Sequence, residues 1–112
     1  MPVLRPQAPL YRIDKFTVPD AALAEFVTLA WQTHEVLRSQ SGFVRDLILE
    51  QVSGPGQFNA VTFVESKDES SYNRAVEAVR RFHDAVGFDR KSVAARLGIV
   101  ADIGNYQRRE AA

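Results

Sequence analysis

SKDESSYNRAVEAVRRFHDAVG, residues 66–87, is the stretch whose reading organises the rest of the chain. Ser66 and Glu69 stand at the S-x-x-E spacing of a capping box, in which the serine oxygen accepts from the third helical amide and the glutamate reaches back to the serine amide. Gly87 is the expected stop, because a residue without Cβ readily takes the left-handed conformation that follows many helices. The helix between them should run for about 20 residues. At 100° per residue, Tyr72, Ala75, Val76, Val79, Phe82, His83 and Val86 share one side, while Glu69, Arg74, Glu77, Arg80, Arg81 and Asp84 lie mostly on the other. A titratable ring, His83, thus sits within the apolar stripe, and Arg80 and Arg81 read as a solvated face.

Upstream, FVRDLILEQV (43–52) and FNAVTFVE (58–65) are strand-like segments around the turn SGPGQ (53–57). Alternation sets Phe43, Leu47 and Leu49 against Val44, Ile48 and Val52. On the second segment it sets Val61 and Phe63 against Phe58, Ala60, Thr62 and Val64. LYRIDKFTV (10–18) reads as an earlier strand ending at Pro19. Asp20 then caps a helix that runs to Gly42, with Leu23, Phe26, Val27, Ala30, His34 and Leu37 on one side and Trp31 at the stripe's edge. The second histidine is therefore also central to an apolar face. Downstream, FDRKSVAARLG is polar with one short helical turn, and LGIVADIGNY is a last strand. Pro2, Pro6 and Pro9 favour an extended arm over 1–9, mobile or draped on a partner, leaving a domain over 10–106 and a tail over 107–112.

The order strand, helix, strand, strand, helix, strand is α+β. It matches the ferredoxin-like βαββαβ arrangement, a four-stranded antiparallel sheet with two helices on one face. Apolar side chains on both faces of the strands imply that the uncovered face is buried too. With one domain available, the cover expected is a second copy of the chain, a homodimer closing as a dimeric α/β barrel.

Composition bounds the function classes. The chain has 112 residues, 46% apolar and 25% charged, enough for one core. Fourteen basic and fourteen acidic residues cancel, so no basic field draws nucleic acid or an anionic membrane. The absence of cysteine excludes disulfides, thiolate metal sites, iron–sulfur clusters and a cysteine nucleophile. No apolar run approaches the ~18 residues of a membrane span, and MPVLRPQAPL lacks a signal peptide's apolar core, so a cytoplasmic location is expected. Nucleotide-binding and hydrolytic motifs are missing, and SGPGQ is followed by no helix that could cradle a phosphate.

The layout, the helix ending in EVLRSQSGFVRDLIL, the segment FVESKDESSYNRAVEAVRRFHDAV and the closing strand ADIGNY resemble the antibiotic biosynthesis monooxygenase domains of the dimeric α/β-barrel superfamily. The resemblance covers roughly residues 10–106. It implies a homodimer with two facing sheets, a pocket in each subunit between sheet and helices, and oxygen insertion into small electron-rich aromatics such as phenols, quinols or anthrones without metal or flavin. Relatives that degrade haem use a late histidine of the second helix as iron ligand, with a tryptophan earlier in that helix and an asparagine on the first strand. His83 matches the first. Asn73 occupies the tryptophan position and Asp14 lies near the asparagine's, so haem degradation is the lesser reading.

A single imidazole near neutrality can take a phenolic proton, giving the anion that reacts with oxygen. His83 or His34 could be that base, and either could instead be a core histidine satisfied by a carbonyl or a tyrosine. Counting ~1.5 Å per residue along antiparallel helices sets the two roughly 10 to 15 Å apart along the axes, too far for one metal to take both. Trp31, Tyr72, Asn73, Asp14 and Phe63 are candidate substrate contacts. The bland alternatives are pocket wall for Trp31 and Tyr72, a solvated Asn73, and a surface or interface carboxylate at Asp14. A non-catalytic dimeric module that binds a small ligand stays open as a third possibility.

Overall fold

The computed structural model describes residues 2–109. The elements are β1 (Leu10–Thr17), a single 3-10 turn (Asp20–Ala22), α1 (Leu23–Arg38), β2 (Phe43–Glu50), β3 (Ala60–Ser66), α2 (Glu69–Val86), α3 (Arg90–Leu97) and β4 (Val100–Tyr106). The strands form one antiparallel sheet in the order β2-β3-β1-β4. Ile13 of β1 lies between Phe63 of β3 and Gly104 of β4, and Leu47 of β2 flanks Phe63 on the far side. The α+β, four-stranded antiparallel arrangement is the expected one.

Several local expectations are corrected. Ser66 does not cap α2, because it is the last residue of β3 and pairs with both Leu10 and Phe43. Asp68 is the cap, its carboxylate accepting from the Ser71 amide at 2.8 Å. Gly87 does end α2, at φ 71°. Asp20 caps nothing with its side chain. The chain there makes a tight turn, with the Ala22 amide donating to the Pro19 carbonyl, before α1 starts at Leu23. The polar FDRKSVAARLG run is two turns of helix rather than one, because Asp89 caps it and Gly98 closes it in the left-handed conformation. The described part of the proline arm is tied down: the Arg5 amide and carbonyl are both bonded by the Gln107 side chain at 2.8 Å, and the Pro6 carbonyl accepts from the Glu69 amide.

On β2 a register irregularity between Phe43 and Arg45 interrupts the alternation. Phe43 pairs with the buried Ser66 and so falls on the helix side, not with Leu47 and Leu49. Beyond the irregularity, Asp46 and Ile48 face the helices, while Arg45, Leu47 and Leu49 face away.

The tight core sits at one end of the sheet. Val18, Ala22, Phe26 and Ala60 are buried together, with Phe16, Leu23, Leu97 and Ile99 packed around them. The Phe16 and Phe26 rings meet edge-on at 4.8 Å, and burying a side chain of this size contributes about 2–3 kcal/mol. Towards the other end the inward residues become small: Thr62, Ser66, Ser71 and Ala75 are buried but fill little volume. A space between helices and sheet is the consequence.

Candidate functional site

That space is a cavity of about 250 Å³, lined from the sheet by Arg12, Asp14, Phe16, Thr62 and Val64 and from α1 by Leu29, Thr33, His34 and Leu37. The second helix contributes Tyr72, Val76, Val79 and His83, and the α3 region Phe88, Arg90, Val93 and Ala94. Its walls are mostly apolar, with three polar arrangements set into them.

The first is built on His34, which is 4% exposed. Its Nδ1 lies 2.7 Å from Asp46 Oδ2 on β2, the residue whose inward position the alternation beyond Phe43 dictates. Arg38, one helical turn after His34, donates to both oxygens of Asp46 at 3.1 and 2.9 Å. Burial of Asp46 would raise its pKa, but the hydrogen bonds from Arg38 and His34 outweigh it and hold the carboxyl below its ordinary value. An ionised acceptor at Nδ1 favours the tautomer with its proton there, which in the neutral ring puts the lone pair on Nε2. Because no buried side-chain nitrogen or oxygen among the described residues lacks a partner, and Nε2 has none in the protein, Nε2 is open to the cavity.

The second arrangement joins residues 60 positions apart. Arg12 donates through Nε to Asp14 at 2.5 Å and through Nη1 to the Tyr72 hydroxyl at 2.8 Å. Burial opposes the charge on Arg12, yet the bonds to Asp14 and Tyr72 raise its pKa. The pair is neutral as a unit.

The third is His83, whose Nε2 is 3.1 Å from Thr33 Oγ1 and whose ring lies 4.5 Å from that of Phe88. Its pKa is lowered, first by desolvation and then by the charge of Arg90, so the ring is held neutral. Since His83 bonds the residue next to His34, the two histidine-bearing turns stand side by side rather than 10–15 Å apart along the axes. They still have separate partners, and among the described residues no cluster of three or more His, Asp or Glu side chains could hold a metal ion.

Of the sequence candidates, His34, His83, Tyr72 and Asp14 line this cavity. Trp31, Asn73 and Phe63 do not. Trp31 is 43% exposed and stacks over the Arg38 guanidinium at 4.6 Å, touching the Asp46 network from outside. Asn73 is exposed and lines a separate, open surface groove with Pro6, Gln7 and Asp68. Phe63 faces the open side of the sheet, near Tyr11 and Arg45, because it alternates with the inward Thr62 and Val64. Sequence reasoning missed Asp46, Arg38, Arg12 and Arg90. A carboxylate between Val44 and Ile48 on the inward phase of β2 was the available signal for the first.

Haem does not fit these residues. The Nε2 atom that would ligate iron is engaged by Thr33, Phe88 packs on the ring, and about 250 Å³ is small for a porphyrin when ~150 Å³ is what benzene fills.

No family model matches the sequence, and no curated protein does. Solved structures do match. A candidate monooxygenase from Shewanella loihica PV-4 superposes with a TM-score of 0.69 at 14% identity, over 93% of this chain and 97% of that one. SnoaB, a cofactor-independent oxygenase from Streptomyces nogalater, matches at 0.63 and 20% identity over 93% and 96%. A dimeric ferredoxin-like protein from an uncultured marine organism matches at 0.63 and 14% over 93% and 98%. The chain has the ferredoxin-like fold. Within this ferredoxin-like fold α3 is an extra helix between α2 and β4, and it is the element that closes the cavity beside His83. Among the described residues no helix is long and apolar enough to cross a membrane.

Proposed function

We propose that this chain is a cofactor-independent monooxygenase of small electron-rich aromatics, with His34 as general base. The observation that carries the reading is His34 itself: Nδ1 held by an ionised carboxylate, Nε2 presented to an apolar cavity. His34 Nε2 takes the phenolic proton. The resulting anion passes an electron to dioxygen, superoxide and the phenoxyl radical recombine at the unsubstituted para carbon, and the His34 imidazolium returns its proton to the peroxide to give a hydroperoxide. Loss of water then leaves a quinone, so that phenol and O₂ become quinone and H₂O. Asp46 stabilises the imidazolium formed in the first step, and general-base assistance of this kind contributes about 10²–10⁴-fold. His83, held neutral against Thr33 and Phe88, serves as wall. A cavity of about 250 Å³ exceeds the ~150 Å³ that benzene fills, which favours phenols and quinols of one or two rings over three-ring anthrones.

The open sheet face supports a homodimer. Leu47 and Leu49 on β2 are 46% and 47% exposed beside Phe63, an apolar patch that a second copy would cover.

The test is oxygen uptake by purified protein with a panel of one- and two-ring phenols and quinols. Uptake that falls at least 100-fold in His34→Gln supports the reading. No uptake with any of them, or a variant as active as the wild type, refutes it.

A further inference from the structure

Charges on the cavity wall do not cancel. Asp14, the one carboxylate lining it, is engaged by Arg12 at 2.5 Å. Asp46 is held by His34 and Arg38. Arg90, the solvent-exposed first residue of α3, also lines the cavity, and its guanidinium has no hydrogen-bond or ion-pair partner among the described residues. The acids nearest in sequence are occupied elsewhere: Asp89 by the Lys91 amide and the Ser92 hydroxyl at the start of α3, and Asp84 by Arg80. Arg90 lies near enough to His83 for its charge to add to desolvation, the larger cause, in lowering that ring's pKa. An apolar pocket with one uncompensated cation at its wall is complementary to an aromatic body carrying one anionic group.

Resting on the oxygenase reading for the ring chemistry, we propose that the substrate is an aromatic acid: its ring lies in the apolar cavity with the phenolic oxygen towards His34, and its carboxylate pairs with Arg90. Arginine suits this task because its planar fork can bond both carboxylate oxygens. Arg90 is thereby a specificity-determining residue that takes no part in proton transfer.

The experiment compares binding of 3-hydroxyphenylacetate, whose carbon para to the hydroxyl is free, and its methyl ester by calorimetric titration of wild type, Arg90→Gln and Arg90→Lys. The ring and hydroxyl are the same in both probes; the ester removes the charge and adds one methyl group. The expected result is that the acid binds about tenfold more tightly than the ester to wild type, a difference of ~1.4 kcal/mol. Arg90→Gln should abolish the preference, and Arg90→Lys should keep part of it. Equal affinities in wild type, no binding of either probe, or a preference that survives in Arg90→Gln would each overturn the proposal. Binding needs no turnover, so an acid preference without oxygen uptake would retain the anion site and discard the oxygenase.

Discussion

Replacing Asp46 with asparagine separates the general-base reading from a purely structural one. Asp46 accepts one bond from His34 and two from Arg38, and its side chain is 7% exposed. Asp46→Asn keeps the shape but removes the charge. An asparagine oxygen can still accept one bond, while Arg38, 39% exposed, can turn to water. The stability lost is therefore closer to one charge-assisted hydrogen bond, about 2 kcal/mol, than to the ~3–5 kcal/mol of an orphaned buried charge. With an unfolding entropy of ~2.1 cal/mol/K per residue over 112 residues, the midpoint of thermal unfolding should fall by about 8 °C. Turnover should fall much further, by about 10²–10⁴-fold. The carboxylate no longer fixes the Nδ1 proton, and an amide that donates to Nδ1 would drive the proton onto Nε2, where it blocks the base. Oxygen uptake against pH with one phenol carries the diagnostic signature. Near pH 10, where phenols ionise unaided, the deficit of Asp46→Asn should shrink. His34→Gln should show the same deficit, and the double variant should be no worse than either single one. Turnover within twofold of wild type, alongside the expected loss of stability, would show that the dyad only holds α1 to β2.

Gly42→Ala should cost about 3 kcal/mol in urea unfolding, since Gly42 has φ 87° and a Cβ there would come within 2.4 Å of the Ser71 Cβ, forcing α2 off the sheet. A lowered His83 pKa makes stability fall as pH drops below about 6.5, because the unfolded chain then binds a proton that the folded one resists. Denaturation midpoints measured from pH 7.5 to 5 should show this slope and lose it in His83→Gln. Leu47→Glu, on the open sheet face, should leave the circular dichroism unchanged and, if the proposed dimer forms through this face, shift sedimentation from dimer to monomer. A monomeric wild type would dispose of the dimer.

Sequence by itself determined what local physics controls. The 3.6-residue stripe from Tyr72 to Val86, the glycine stop at Gly87, the alternation on β3 and the run of turn residues at 53–57 are each set by neighbours within a few positions, so element order and fold class could be read directly. Both histidines could be assigned to inward helix faces for the same reason. Even locally the choice between caps was not decided, because Ser66 is drawn into the sheet by partners at residues 10 and 43. Which polar groups meet was decided by tertiary structure alone. The pairing of His34 with Asp46 depends on the irregular register at Phe43, that of Arg12 with Tyr72 on docking α2 over β1, and the approach of Arg90 to His83 on where α3 folds back. These contacts have no period and no motif. They arise because small side chains at Thr62, Ser66 and Ala75 leave space between helices and sheet, and only the assembled layers reveal which charged groups border that space and which are left without a partner.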